Sequence, residues 1–238
     1  WNIYQLVFKG TKTSQSQVVL VAAFIAHLFF DGVRWQIVPA YLMILAFFFL
    51  QRKTSKVTTA SLVAGLVVSV LLPLLVPIIS FPDPRGDYAV GSLIHHWVDG
   101  DRDEWFTPED PNDKRQLMLQ TWYPSIETNS EKLPFLDHLK IRAKTIAQAG
   151  KFPSFLAMHL EKIKTNSTLN SPVASNAAPF PIIIISHGIT GMRQLHTSLA
   201  EKLASSGFAV FAMDHTYDAN ITVFPDGSIA DYRSNIIG

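Results

Sequence analysis

Twenty-three consecutive residues without a charge, Thr59 to Phe81 (TASLVAGLVVSVLLPLLVPIISF), constrain this chain more than any other stretch. A helix rises about 1.5 Å per residue and the hydrocarbon core of a bilayer is about 30 Å thick, so a run of this length reads as a membrane span. Pro73 and Pro77 kink it near its end, which neighbouring helices can accommodate in lipid. Two shorter apolar runs precede it, Val18 to Phe30 and Ile37 to Leu50. Extended to Gln15–Gly32 and Trp35–Leu50 they approach spanning length, and Trp35 and Tyr41 suit an interface. The expectation is a membrane anchor of about three transmembrane helices over residues 1–81. Its competitor is one span with a re-entrant or interfacial hairpin.

The charges divide the chain at the same place. Up to residue 82 there are six basic residues (Lys9, Lys12, Arg34, Arg52, Lys53, Lys56) and one acid, Asp31, hence +5; the remainder carries 14 basic and 18 acidic residues, hence −4. Charged residues are 16% of the chain, against about 25% in a soluble domain. A net charge of +1 offers no basic field for nucleic acid. Without cysteine there are no disulfides, thiolate metal sites or thiol nucleophiles, so any nucleophile is an oxygen. Basic residues gather on the cytoplasmic side of short loops. Arg52, Lys53 and Lys56 therefore place the second loop inside, Lys9 and Lys12 place the leading segment there too, and residues 82–238 emerge outside. Within the first apolar run, His27 is read as a helix–helix hydrogen bond rather than a proton relay.

Beyond Phe81–Gly86, Tyr88–Val98 reads as a strand and Asp99–Glu104 as an acidic turn. Asp99, Asp101 and Asp103 mimic the opening of a calcium loop, but Glu104 stands where glycine is needed and Asp110 where glutamate is needed. His95 and His96 face opposite sides of a strand and cannot chelate one ion. Leu117–Tyr123 is a second strand. Leu133–Thr165 holds amphipathic helical pieces (Leu136, Leu139, Ala143, Ile146, Ala147; then Phe155, Leu156, Leu160, Ile163) that pack on a core or form a flap. Asn166–Pro179 reads as a loop with an Asn-Ser-Thr sequon, and Asn220-Ile-Thr is a second.

Residues 179–218 (PFPIIIISHGITGMRQLHTSLAEKLASSGFAVFAMDHTYD) carry the most information. Ile182–Ile185 is the β-branched run of a parallel strand buried on both faces. Gln194–Ser206 is a helix with Leu195, Leu199, Leu203 and Ala204 as its apolar stripe and Gly207 at its end. Phe208–Met213 is the next strand. In a strand, crossover helix, strand unit ligands bind beyond the carboxyl ends of the strands, where Ser186–Gly191 lies.

Three segments, GDYAVGSLIHHWVDGDRDE, RQLMLQTWYP and PFPIIIISHGITGMR, together resemble the platelet-activating factor acetylhydrolase-like lipases and esterases, a group of α/β-hydrolases. The resemblance covers residues 86 to 218. It implies an α/β fold, with N-terminal transmembrane helices followed by the first half of an α/β-hydrolase domain built on a mixed, mostly parallel sheet. It also implies that the loop after Ile182–Ile185 supplies part of an oxyanion hole. Gly188 lets the backbone approach a ligand, so the Ile189 N–H becomes the donor. His187 precedes any nucleophile in the chain order of such triads and is read as ordering the loop. Asp214 and His215 imitate an acid and base, but neighbours at a strand end diverge, so they too are given a loop role.

No Gly-x-Ser-x-Gly elbow occurs, so the nucleophile, acid and base of the triad are expected outside this chain. A chain that begins at Trp1 and ends at Gly238 is read as a fragment cut before that elbow. The expectation is a multi-pass, membrane-anchored serine ester hydrolase with its catalytic part outside the cytoplasm. It would act on small-molecule or lipid esters without a metal or organic cofactor, and the fragment alone would be inactive. The alternatives are a catalytically inactive, membrane-tethered binding module of the same fold, and an accessory domain on a small membrane protein.

Overall fold

The computed structural model describes residues 13–49, 55–126, 130–175 and 179–233. Lys9, Lys12, Leu50, Arg52 and Lys53, on which parts of the span and orientation expectations rest, lie outside the described residues. The chain forms two compact units, Trp1–Ile78 and Ile79–Gly238.

The first unit holds three helices, α1 (Thr13–Phe30), α2 (Val38–Phe49) and α3 (Lys56–Leu75), with a short 3-10 turn at Trp35–Ile37. Ser55 caps α3 by accepting from the Thr58 N–H at 3.1 Å, which satisfies one of the donors a helix start leaves open. Gly65 lets the Met43 sulfur of α2 lie against α3, since a Cβ there would meet it at 2.5 Å. No residue of α3 is buried. Three spanning helices are not supported: among the described residues only α3, 20 residues long, is long and apolar enough to cross a membrane. The apolar stretches before it, Val18–Phe30 and Trp35–Ala46, are shorter, separated by Asp31, by Gly32 in the left-handed region (φ 66°) and by Arg34. The His27 expectation also changes. Its Nδ1 lies 3.1 Å from the Asp31 carboxylate, one turn along its own chain segment rather than across to another helix.

The second unit is built on a mixed six-stranded sheet. Its strands are β1 (Ala89–Asp103), β2 (Lys114–Ser125), β3 (Lys132–Pro134), β4 (Lys164–Leu169), β5 (Ile182–Ser186) and β6 (Ala209–Asp214), in the order β3-β4-β1-β2-β6-β5. β1 and β2 form a long antiparallel ladder from the Ala89–Ser125 pair to Asp99–Arg115. β2 pairs antiparallel with β6, and β6 pairs parallel with β5, Ile184 opposite Phe211 and Ser186 opposite Met213. β4 joins β1 in parallel and β3 in antiparallel. Helix α4 (Leu139–Gly150) and a 3-10 segment (Ser154–Lys162) precede β4, while α5 (Thr197–Ser205) crosses from β5 to β6. A small hairpin, β7 (Ile221–Val223) and β8 (Ile229–Asp231), follows.

The main core lies between α5 and one face of the sheet, where Val90, Trp122, Val210 and Ala212 meet Ala200 and Ala204, with Ile183, Ile185, Leu203 and Phe208 packed around them. Trp122 is wholly buried; truncating such a side chain to Ala costs about 3–5 kcal/mol. Gly207, at φ 99°, ends the crossover helix as its sequence position predicts.

Four sequence expectations change. The acidic turn at Asp99–Glu104 is mostly strand, because β1 continues to Asp103 past an irregularity in register. Residues 166–169, expected as loop, lie in β4. Ile182 and Ile184 are 66% and 67% exposed, so β5 is buried on one face only. The expected helical stripe holds in part: Leu203 and Ala204 pack in the core, but Leu199, and Leu195 in a 3-10 turn (Arg193–His196) before α5, face outward, and Ala200 enters the core instead, since a small side chain lets the helix lie close against the sheet.

Candidate functional site

The carboxyl ends of the parallel pair β5–β6 stand side by side, and the segments leaving them, 187–193 and 214–220, are laced together. His187 is buried. Its Nε2 faces the His215 N–H at 3.0 Å and its Nδ1 faces the Gly188 carbonyl at 2.7 Å. A main-chain N–H can only donate and a carbonyl can only accept, so these partners require the neutral Nδ1–H tautomer. Thr190, at φ 57°, donates its N–H to the Asp218 carbonyl at 3.2 Å. The Asn220 N–H donates to the Gly191 carbonyl and the Gly191 N–H to the Gly188 carbonyl, both at 2.9 Å. A Cβ on Gly191 would come within 2.8 Å of the His187 Cβ, so this tight turn needs glycine.

The far end of the loop is fixed by a buried charge lattice. The Arg193 N–H donates to the Asp214 carboxylate at 2.7 Å, and the Arg193 guanidinium reaches both Asp214 and Asp137. Arg142 binds Asp137 at 2.7 Å and the Ile221 carbonyl at 3.0 Å, and lies 3.6 Å from Asp214. Both arginines and Asp214 are inaccessible to solvent. Burial alone would raise the Asp137 pKa, but the Arg193 and Arg142 guanidinium groups outweigh it and hold the carboxyl below its ordinary range.

Within this frame the middle of the loop is open. A Cβ on Gly188 would meet nothing within 4 Å, the Ile189 side chain is 78% exposed, and no group among the described residues accepts from the Ile189 N–H. The three residues named from the sequence, His187, Gly188 and Ile189, thus sit together at the end of β5, the first as a buried strut and the other two as exposed backbone. Asp214 and His215 do point apart. Asp214 turns into the charge lattice, and the His215 Nε2 lies 2.7 Å from the Ser186 Oγ. Sequence reasoning missed that last pair, although its signal was present: Ser186 and His215 each stand at the carboxyl end of adjacent parallel strands. Burial holds the His215 imidazole below the ordinary histidine range, and the His187 ring lies 4.9 Å away.

The flank of the site is aromatic. Phe106 packs on Tyr217 at 5.6 Å, the Arg233 guanidinium lies 4.7 Å from the Tyr217 ring centroid, and Trp105 beside Phe106 is exposed. Arg115 ties the 214–220 segment to β2 by binding Glu104 and the Thr216 carbonyl. No cluster of three His, Asp or Glu side chains suited to a metal ion occurs among the described residues.

The chain is similar to named proteins. It is 26% identical over 101 residues to the platelet-activating factor acetylhydrolase of Cavia porcellus and, at the same identity and length, to that of Canis lupus familiaris, in each case over 41% of this chain. It spans 23% and 22% of those relatives' lengths. A solved ferulic acid esterase from Streptomyces cinnamoneus superposes with a TM-score of 0.54 at 28% identity, over 68% of this chain and 43% of that one. Residues 77–231, about two thirds of the sequence, match the family described as platelet-activating factor acetylhydrolase, isoform II. The β-sheet unit with its loop at the end of β5 is the part matched, and the chain belongs to that family.

Proposed function

We propose that the protein is a membrane-anchored carboxylic ester hydrolase of the serine type, and that residues 187–193 form its oxyanion loop. One observation carries this reading: among the described residues the Ile189 N–H has no acceptor, on a loop anchored at both its ends. An ester carbonyl placed against that N–H gains negative charge on its oxygen as an alkoxide attacks. A donor fixed beforehand stabilises that charge without reorganising. His187 and Gly191 keep the donor aimed, and Gly188 leaves the approach clear. The family name and the esterase neighbour support an ester substrate, and a phospholipid-like or short-chain ester fits a site on a chain that carries an apolar helix of spanning length. The anchoring reading is supported by α3, and Lys56 at its start, with Arg52 and Lys53 just before it in the sequence, supports an orientation with residues 82–238 outside the cytoplasm.

Replacing Ile189 with Pro removes the donor and leaves the neighbouring residues unchanged. In the full-length gene product, Ile189→Pro is expected to lower kcat toward a p-nitrophenyl ester by about 10²–10³-fold, while Ile189→Ala and Ile189→Val stay within several-fold of wild type at unchanged melting temperature. Equal activity in the Pro variant and wild type takes Ile189 out of the site.

A further inference from the structure

The exposed end of β5 holds a second set of groups that the oxyanion reading leaves unused. Ser186 is an exposed hydroxyl on the last residue of the strand, and its Oγ lies 2.7 Å from the Nε2 of His215. Two and three residues further along the chain stand Gly188, with open space where a Cβ would be, and Ile189, whose N–H has no acceptor among the described residues. Nucleophile, base and donor are the parts that acyl transfer requires, and here all three lie at one strand end.

We propose that Ser186 and His215 form a nucleophile and general-base pair that renders this chain acylable at the Ser186 Oγ by carboxylic esters. In the step, the Ser186 oxygen forms a bond to the ester carbonyl carbon as its proton passes to the His215 Nε2. The oxyanion turns to the Gly188 and Ile189 N–H groups. Collapse breaks the bond to the alcohol oxygen, which takes the proton from Nε2. Water then adds to the acyl-Ser186 ester with its proton going to the same nitrogen, and collapse returns the Ser186 hydroxyl and a carboxylic acid. An imidazole can act as base only when neutral. Burial favours that form of His215, with Arg115 acting in the same direction, and Asp218 and Asp214 oppose it. The contacts that shape the loop are not at stake in this step, because His215 holds His187 through its main-chain N–H.

The inference rests on the oxyanion-loop reading but places a nucleophile inside this chain, and the test separates the two. The 238-residue chain in detergent micelles is treated with a fluorophosphonate probe, whose phosphorus takes the Ser186 oxygen and releases fluoride, and the adduct is mapped by mass spectrometry. One adduct is expected, on Ser186. It should be lost in Ser186→Ala and slowed by about 10²-fold or more in His215→Ala and in His215→Gln, a variant that keeps a hydrogen-bond acceptor but no base. Added imidazole should restore part of the rate in His215→Ala. Ser206→Ala, which removes a hydroxyl that donates to the Lys202 carbonyl, should label like wild type. Circular dichroism melts of each variant show that the fold persists. No adduct on Ser186 of the folded chain, or an adduct formed as fast in His215→Gln as in wild type, overturns the inference, and the hydrogen bond is then a tie between strand ends only. If in addition the full-length gene product carrying Ser186→Ala still hydrolyses esters, the esterase reading stands without Ser186. If the full-length wild type hydrolyses none, the esterase reading falls by itself, whatever the adduct on Ser186 shows.

Discussion

Asp137 shows how one side chain governs the loop from a distance. It binds Arg142, Arg193 and Gln194 at once, and the two arginines it neutralises are buried without access to water. Its folded pKa lies below the unfolded value, which is near 3.9. Its contribution to stability is therefore present above that value and is lost as pH falls through the folded pKa. Asp137→Asn should lower stability at pH 7 by about 3 kcal/mol, the low end for breaking a buried pair because the carboxylate is partly exposed. The gap between variant and wild type should narrow below about pH 4, as read from denaturant melts at both pH values. A gap that stays constant with pH would show that the charge is not what matters. Such groupings are invisible in a linear sequence. His187, Gly188 and Ile189 stand together in the sequence itself, whereas Arg142 on α4 meets Asp214 on β6 only in the folded chain, and Ser186 meets His215 only through the register Ser186–Met213 of a parallel pair.

At the scale of elements, the sequence told strands and helices apart more readily than it told which face each would bury. Periodicity favoured Leu195, Leu199, Leu203 and Ala204 for the core; Leu203 and Ala204 are there, but Ala200 takes the place expected of the exposed Leu195 and Leu199, because close approach to the sheet selects small side chains over the most apolar ones. The polar segment Asn166–Ser167–Thr168 read as loop and is strand, since the buried Glu201 carboxylate accepts the Asn166 N–H at 2.7 Å and the Ser167 hydroxyl as well. β5 presents the opposite case. Its sequence suits burial on both faces, and Ile182 and Ile184 are exposed on an edge strand among the described residues. An apolar edge pairs readily with other chains. Ile184→Lys should reduce turbidity on dilution from denaturant and change stability by no more than about 0.5 kcal/mol, whereas Ile183→Lys, on the packed face, should prevent folding. Unchanged turbidity in Ile184→Lys would clear the edge of responsibility.

For the whole molecule, the proposed orientation requires only that α3 span, because Lys56 and the basic residues before it in the sequence would start that helix on the cytoplasmic side. Protease added to intact cells should degrade residues 79–238 and spare α3; protection until lysis would reverse the topology. The Glu201 contacts also bear on how the molecule can be made. Asn166 belongs to the sequon Asn166-Ser167-Thr168, and its Nδ2 donates to Glu201 at 2.9 Å and to the Pro82 carbonyl at 3.0 Å. Asn220, of the second sequon, sits beside Ile221 and Thr222, which the fold encloses. Oligosaccharide transfer acts on nascent polypeptide, before β4 can dock. A sugar tree on Asn166 would occupy the very nitrogen that Glu201 holds, so yeast or mammalian secretion should yield misfolded product where a bacterial host yields the sheet.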